Sequence, residues 1–142
     1  MTVLYAEDDL DDQFLLKEAW EENNILNPLQ IVNDGTEVMD YLNNKGEYID
    51  TEKYPLPGLI LLDLNMPKMN GAETLEKIKN NSELKNIPVI VLTTSKAEED
   101  IINSYDLGVN SFITKPVSFE DLIKLVSIFE KYWFEIVELS HT

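Results

Sequence analysis

Five polar residues of this chain stand where an apolar run stops. Glu7 and Asp8 follow Val3-Leu4-Tyr5-Ala6, Asp63 follows Leu59-Ile60-Leu61-Leu62, Thr93 follows Val89-Ile90-Val91-Leu92, and Lys115 follows Phe112-Ile113-Thr114. Three carboxylates brought together repel one another unless a cation intervenes, and an all-oxygen site with few protein ligands suits magnesium, which keeps several waters. A lysine ammonium beside an aspartate that accepts a phosphoryl group would pair with the transferred oxygens. A threonine hydroxyl would donate a hydrogen bond to the same oxygens. Histidine and thiol chemistry are poor alternatives: the only histidine, His141, lies next to the C-terminal residue, and the chain has no cysteine. Disulfides, thiolate zinc sites and cysteine nucleophiles are thereby excluded.

The elements that must position these residues can be read from the pattern. Leu59 to Leu62 are four aliphatic residues in a row, too many for a sheet with one wet face, so this segment reads as a central strand buried on both sides. Residues 88–92 repeat that signature, and shorter strands are expected at residues 2–6, 29–32 and 111–114. Between them lie five helical segments. Asp9 caps the first, with Asp11 and Asp12 in its first turn and Leu10, Phe14, Leu15, Ala19 and Trp20 as its apolar face, ending near Asn23. Val38, Met39, Tyr41 and Leu42 mark the second helix, and Leu75 and Ile78 the third, which opens near Ala72 with Asn70 and Glu73 as a capping pair. Ser95 and Glu98 cap the fourth, which stops at Gly108. Ser118 caps the fifth, where Phe119, Leu122, Val126, Phe129, Trp133 and Ile136 recur at spacings of three and four. Residues 43–58, with Gly46, Pro55, Pro57 and Gly58, form a connection that is long for a compact domain, either an exposed excursion or an extra turn of helix.

Strands alternating with helices predict a doubly wound α/β sandwich with a parallel central sheet, and right-handed crossovers place all five carboxyl ends on one side. Ligands bind at that edge in open α/β sheets, so Glu7, Asp8, Asp63, Thr93 and Lys115 converge where a site is expected. Asp9 is read as the helix cap and not as a ligand.

Composition narrows the partners. The chain has 142 residues, enough for one domain, and 27 acids against 11 lysines with no arginine give a formal charge of −16. Such a surface repels nucleic acid and anionic membrane, so neither is an expected partner. No stretch has the length of a membrane span, and Met1-Thr2-Val3 runs into a strand without a basic leader, so a cytoplasmic location is expected.

Taken in order, Glu7-Asp8, Leu62-Asp63-Leu64-Asn65-Met66-Pro67 with Gly71, Leu92-Thr93-Thr94 and Lys115-Pro116 resemble the receiver domain of two-component response regulators over nearly the whole chain. Thr93 follows Asp63 by 30 residues and Lys115 follows Thr93 by 22, which also agrees. The resemblance implies a flavodoxin-like (βα)5 fold with strand order 2-1-3-4-5. It further implies a protein that is not an enzyme in the usual sense but accepts a phosphoryl group on Asp63 from a sensor histidine kinase. Asp8 and Asp63 would bind magnesium, or manganese in its place, with the backbone carbonyl of Asn65 as a third ligand and Glu7 acting through water. Lys115 and Thr93 would contact the phosphoryl group, Thr93 and Phe112 would serve as the switch, and Asn65, Thr94 and Ser95 would line the pocket and set the lifetime of the phosphorylated state. Pro116 is expected to follow a cis peptide bond that aims Lys115 into the pocket.

The long 43–58 connection, Thr93-Thr94-Ser95, Ser104-Tyr105 and the aromatic C-terminus resemble the small stand-alone regulators of bacterial phytochrome kinases, which points to a phytochrome-type partner. The receiver unit is expected at residues 1–131. Residues 132–142 are strongly apolar for a terminus and would either pack back on the domain or join a homodimer interface with the face formed by the fourth helix, fifth strand and fifth helix. Three other readings share parts of the pattern. A haloacid-dehalogenase-like phosphatase places its second acid two residues after the first, where Asn65 stands here. A pseudo-receiver would not keep the full pocket. A flavodoxin-like cofactor binder would have Glu7, Asp8 and Asp9 repelling the flavin phosphate.

Overall fold

The computed structural model describes residues 1–94 and 111–134. The strands are β1 (Val3–Ala6), β2 (Leu29–Val32), β3 (Leu59–Asp63), β4 (Val89–Thr93) and β5 (Ser111–Thr114). They form one parallel sheet in the order β2-β1-β3-β4-β5. The helices among the described residues are α1 (Leu10–Glu22), α2 (Gly35–Leu42), α3 (Gly71–Lys79) and α4 (Phe119–Ile128). The helix expected at residues 95–108, with Ser95, lies outside the described residues.

Both faces of the sheet are covered, which is why its strands read as continuous apolar runs. All five residues of β3 and all five of β4 are buried. Alternation along each strand divides the side chains into two layers. Leu4, Ile60, Leu62, Val89 and Val91 pack with Val38 and Tyr41 of α2 and Leu75 and Ile78 of α3. Val3, Tyr5, Leu61, Ile90 and Leu92 pack with Leu16, Ala19 and Trp20 of α1 and with Val126 and Phe129 at the end of α4.

The caps expected for α1, α3 and α4 are found. Asp9, Asn70 and Ser118 each accept a backbone N–H in the first turn of α1, α3 and α4. One expectation of these elements is corrected. The inner face of α1 is Leu16, Ala19 and Trp20, whereas Leu10, Phe14 and Leu15 are exposed. Adjacent Leu15 and Leu16 allow two apolar stripes, and the one that includes Leu16 is fixed by packing on the Tyr5 layer and by Trp20 Nε1 donating to Asn27 O at 2.9 Å. Of the two alternatives for the 43–58 connection, an exposed excursion or an extra turn of helix, the extra turn is the one found. The connection folds through a single 3-10 turn (Gly46–Tyr48) around three tyrosines. Tyr41, Tyr48 and Tyr54 contact one another with ring centroids 5.0 to 5.7 Å apart, and Tyr41 Oη donates to Pro55 O at 2.9 Å. Beyond α4 the backbone continues as a π-helical segment (Phe129–Phe134), so residues 132–134 continue helically and the remainder of the C-terminal segment lies outside the described residues.

Candidate functional site

Strand pairing explains how the charged residues meet. Glu7 N–H donates to Val32 O at 3.0 Å and Lys115 N–H donates to Thr93 O at 2.8 Å, so both residues continue their strands by one step. Alternation then sends Glu7 to the side of Tyr5, Asp63 to the side of Leu61 and Lys115 to the side of Ile113, all on the α1/α4 face. Thr93 follows Val91, and Phe112 pairs with Val91, so these two belong to the α2/α3 face. The site therefore straddles the end of the sheet.

On the α1/α4 side the Lys115 ammonium meets three carboxylates: Glu7 Oε1 at 2.6 Å, Asp63 Oδ1 at 3.1 Å and Asp12 Oδ2 at 3.3 Å. Glu7 is further engaged, accepting from Tyr5 Oη at 3.3 Å and from Asp9 N–H at 3.3 Å. Ligand oxygens of Glu7, Asp8 and Asp63 all lie within 4.8 Å of one another, with Glu7 and Asp63 buried and Asp8 exposed. This donor set suits a hard divalent cation reached from solvent past Asp8. Asp63 Oδ1 contacts Lys115 by charge but has no hydrogen-bond partner, and Thr93 Oγ1 is likewise buried without one among the described residues. Two such atoms at one edge fit a site shaped for a further group, since buried polar atoms are ordinarily satisfied.

The charges perturb one another. Burial, reinforced by the Asp63 charge, pushes the Glu7 carboxyl up to about 7 against the opposing Lys115 hydrogen bond. Burial also raises Asp63, partly offset by Lys115. For Lys115, burial alone would lower the ammonium, but the hydrogen bond to Glu7 and the charge of Asp63 outweigh it and hold the proton more firmly than usual. Burial followed by the Glu7 charge raises Tyr5, keeping the phenol a donor.

The loop after Asp63 is set by packing. Leu64 and Met66 are buried, Asn65 is exposed, and Lys68 adopts a positive φ of 64°. Gly71 N–H donates to Leu64 O at 2.9 Å, and a Cβ on Gly71 would lie 2.6 Å from Asp63 O and 2.7 Å from Leu64 Cα. Only glycine lets α3 start this close to the strand end that carries Asp63.

Of the residues predicted from sequence, Glu7, Asp8, Asp63 and Lys115 come together as expected. Thr93 is fully buried at the same edge, Thr94 is exposed beside it, and Phe112 is half-buried against the α2/α3 layer. The cis bond expected before Pro116 is absent: no described peptide bond is cis. The trans form is the favoured one for X–Pro bonds, and here the Lys115 N–H pairing with β4 suffices to aim the side chain. Two participants were missed. In the sequence Asp12 reads as a helix-start acid and Tyr5 as a residue of the first strand. The signal for Tyr5 was its spacing of two from Glu7, which shares a strand face, but nothing in the sequence brings Asp12 to Lys115, 103 residues away.

Comparison with known proteins agrees with this geometry. The model of the response regulator receiver domain matches residues 3–127. The response regulator Rcp1 of Synechocystis is 46% identical over 137 residues, covering 96% of this chain and 91% of that protein. Among solved structures, the phosphorylated cyanobacterial phytochrome response regulator RcpA superposes with a TM-score of 0.82 at 42% identity, covering 94% of this chain and 93% of that one. The Mn(2+)-bound form of Rcp1 superposes with a TM-score of 0.79 at 45% identity, covering 93% of each chain. The chain belongs to the response regulator receiver family, and it is a phosphoryl-accepting signalling protein with a flavodoxin-like receiver fold. No helix among the described residues is long and apolar enough to cross a membrane.

Proposed function

We propose that Asp63 is the phosphoacceptor and that the donor is the phosphohistidine of a phytochrome-type sensor histidine kinase. A carboxylate oxygen of Asp63 forms the new bond to phosphorus while the bond to the imidazole nitrogen breaks, leaving its electron pair on that nitrogen. Asp8, Asp63 and the Asn65 carbonyl would hold magnesium, with Glu7 acting through water. That ion supplies charge neutralisation where the phosphoryl oxygens crowd the acids. The engagement of both Glu7 oxygens by Tyr5, Asp9 and Lys115 supports the indirect role for Glu7. Lys115 pairs with the arriving oxygens, and the Thr93 hydroxyl donates to them from the other face. Thr93 and Phe112 then carry the change outward, with Thr94, Asn65 and Ser95 governing access of water to the acyl phosphate.

The observation that carries this reading is the unsatisfied, buried Asp63 Oδ1 facing Lys115 beside two further acids. Incubation with magnesium and acetyl phosphate should add one phosphoryl group to the intact mass, lost on treatment with hydroxylamine and absent from Asp63→Asn. Equal labelling of Asp63→Asn, or no labelling of the unaltered chain by either acetyl phosphate or a phytochrome-type kinase, would overturn it. Association of two copies through the face of β5, α4 and the helix expected at residues 95–108, together with residues 132–142, belongs to the same proposal, and sedimentation with and without phosphorylation tests it.

A further inference from the structure

Lys115 has one partner too many for the role proposed above. Glu7 and Asp63 belong to the acid cluster, but Asp12 does not. It comes from the first turn of α1, it is not among the acids that converge within 4.8 Å, and it reaches the ammonium at 3.3 Å from the solvent side. The side chains grade outward, from 1% and 4% exposed for Glu7 and Asp63, through 22% for Lys115, to 41% for Asp12. An ammonium has three hydrogens; here it donates to Glu7 and to Asp12 and pairs with Asp63 by charge.

A divalent cation among Glu7, Asp8 and Asp63 would neutralise two of those three partners and repel the ammonium from the same position. The pull on Lys115 from Glu7 and Asp63 then falls, while the pull from Asp12 does not. We propose that Asp12 is a positioning residue for phosphoryl acceptance, anchoring the Lys115 ammonium at the mouth of the site when the acid cluster is occupied by the metal. One ammonium hydrogen stays on Asp12 and the other two are free for phosphoryl oxygens. The inference rests on the reading of Asp63 as phosphoacceptor, but the anchoring itself exists before any phosphoryl group arrives.

The test uses the full chain and its variants Asp12→Asn, Asp12→Glu, Lys115→Met and Asp12→Asn with Lys115→Met. With acetyl phosphate and saturating magnesium, Asp12→Asn should slow phosphoryl acquisition roughly threefold, the size expected for a part-exposed ion pair expressed in a rate. Asp12→Glu should restore most of the loss, and Asp12→Asn should change nothing once Lys115 is methionine. A purely helical role for Asp12 would instead give the same loss in both backgrounds. The second readout needs no phosphoryl transfer. In lysine-15N-labelled protein saturated with magnesium, the Lys115 ammonium resonance should be sharp in the unaltered chain and exchange-broadened in Asp12→Asn. An unchanged resonance, or a rate loss that persists without Lys115, overturns the inference. Failure of the parent reading would appear separately, as an unaltered chain that takes up no phosphoryl group while its ammonium resonance still depends on Asp12.

Discussion

On the α1/α4 face of the sheet edge, Glu7, Asp63, Asp12 and Lys115 are already joined by ion pairs of 2.6 to 3.3 Å, and Tyr5 ties Glu7 to the core. On the α2/α3 face, Thr93 carries a buried hydroxyl with no hydrogen-bond partner among the described residues, and Phe112 is only half-buried. Under the proposed function, the difference gives the two faces separate tasks. The first is assembled in advance, as electrostatic stabilisation of a transferred group requires. The second holds a buried donor with no acceptor among the described residues, so its lowest-energy arrangement changes once an acceptor appears at the edge. A preassembled network is damaged by deletion, whereas an incomplete one is relieved by it.

The largest expected effect of that asymmetry is at Lys115. Lys115→Met removes the cation that pairs with Glu7, Asp12 and Asp63, and phosphoryl acquisition should fall by about 100-fold, the scale for losing a preorganised donor to developing charge. Following label incorporation from acetyl phosphate at saturating magnesium measures this. A loss below about fivefold would mean that the metal alone suffices and that the network on this face is not what readies it.

Gly71 opens α3 against the end of the strand that carries Asp63. In Gly71→Ala the new methyl group meets two backbone atoms, Asp63 O and Leu64 Cα, that cannot rotate away. A destabilisation of about 2 kcal/mol is expected in urea unfolding, together with slower phosphoryl acquisition. Unchanged stability with slowed transfer would show that the loop moves without strain.

The preassembled face also has a signature in pH. Glu7 is pushed up to about 7 from its ordinary 4.5, first by burial and then by Asp63. Between those values the folded chain binds more protons at Glu7 than the unfolded chain does. The Glu7 contribution to stability is therefore fully present below pH 4.5 and is lost as pH rises through about 7. Urea midpoints of the metal-free protein should fall across that window more steeply than those of Glu7→Gln, by on the order of 1–2 kcal/mol. Parallel curves would show that Lys115 holds Glu7 ionised throughout.

Much of this edge is legible in the sequence because it follows from strand periodicity. The runs ending at Asp63 and Thr93 announce buried parallel strands, and right-handed crossovers then force Glu7, Asp8, Asp63, Thr93 and Lys115 to one side. What the sequence conceals depends on rotation and on long-range contact. The inner face of α1 is ambiguous because Leu15 and Leu16 are adjacent, and only packing against Tyr5 selects Leu16. The three tyrosines that fold the 43–58 connection are separated by seven and six residues, a spacing with no local periodic meaning. Asp12 looks complete as a helix-start acid. Its contact with Lys115 exists only because α1 and the end of β5 meet over the same sheet face.

The smallest expected effect is the most discriminating, because it changes sign. Thr93→Val is nearly isosteric and deletes the hydroxyl whose oxygen is buried without a partner among the described residues. A buried unsatisfied hydroxyl is unfavourable, so the unphosphorylated chain should gain about 1 kcal/mol, a rise in melting temperature of roughly 3 °C. When Asp63 carries a phosphoryl mimic such as beryllium trifluoride with magnesium, the hydroxyl has an acceptor, and the same substitution should cost about 1 kcal/mol. Urea midpoints of both proteins, with and without the mimic, give the two differences directly. Opposite signs mean that the α2/α3 face is held incomplete until the other face acquires its phosphoryl group. Equal signs would mean that Thr93 is merely a strand residue and that the two faces do not communicate through it.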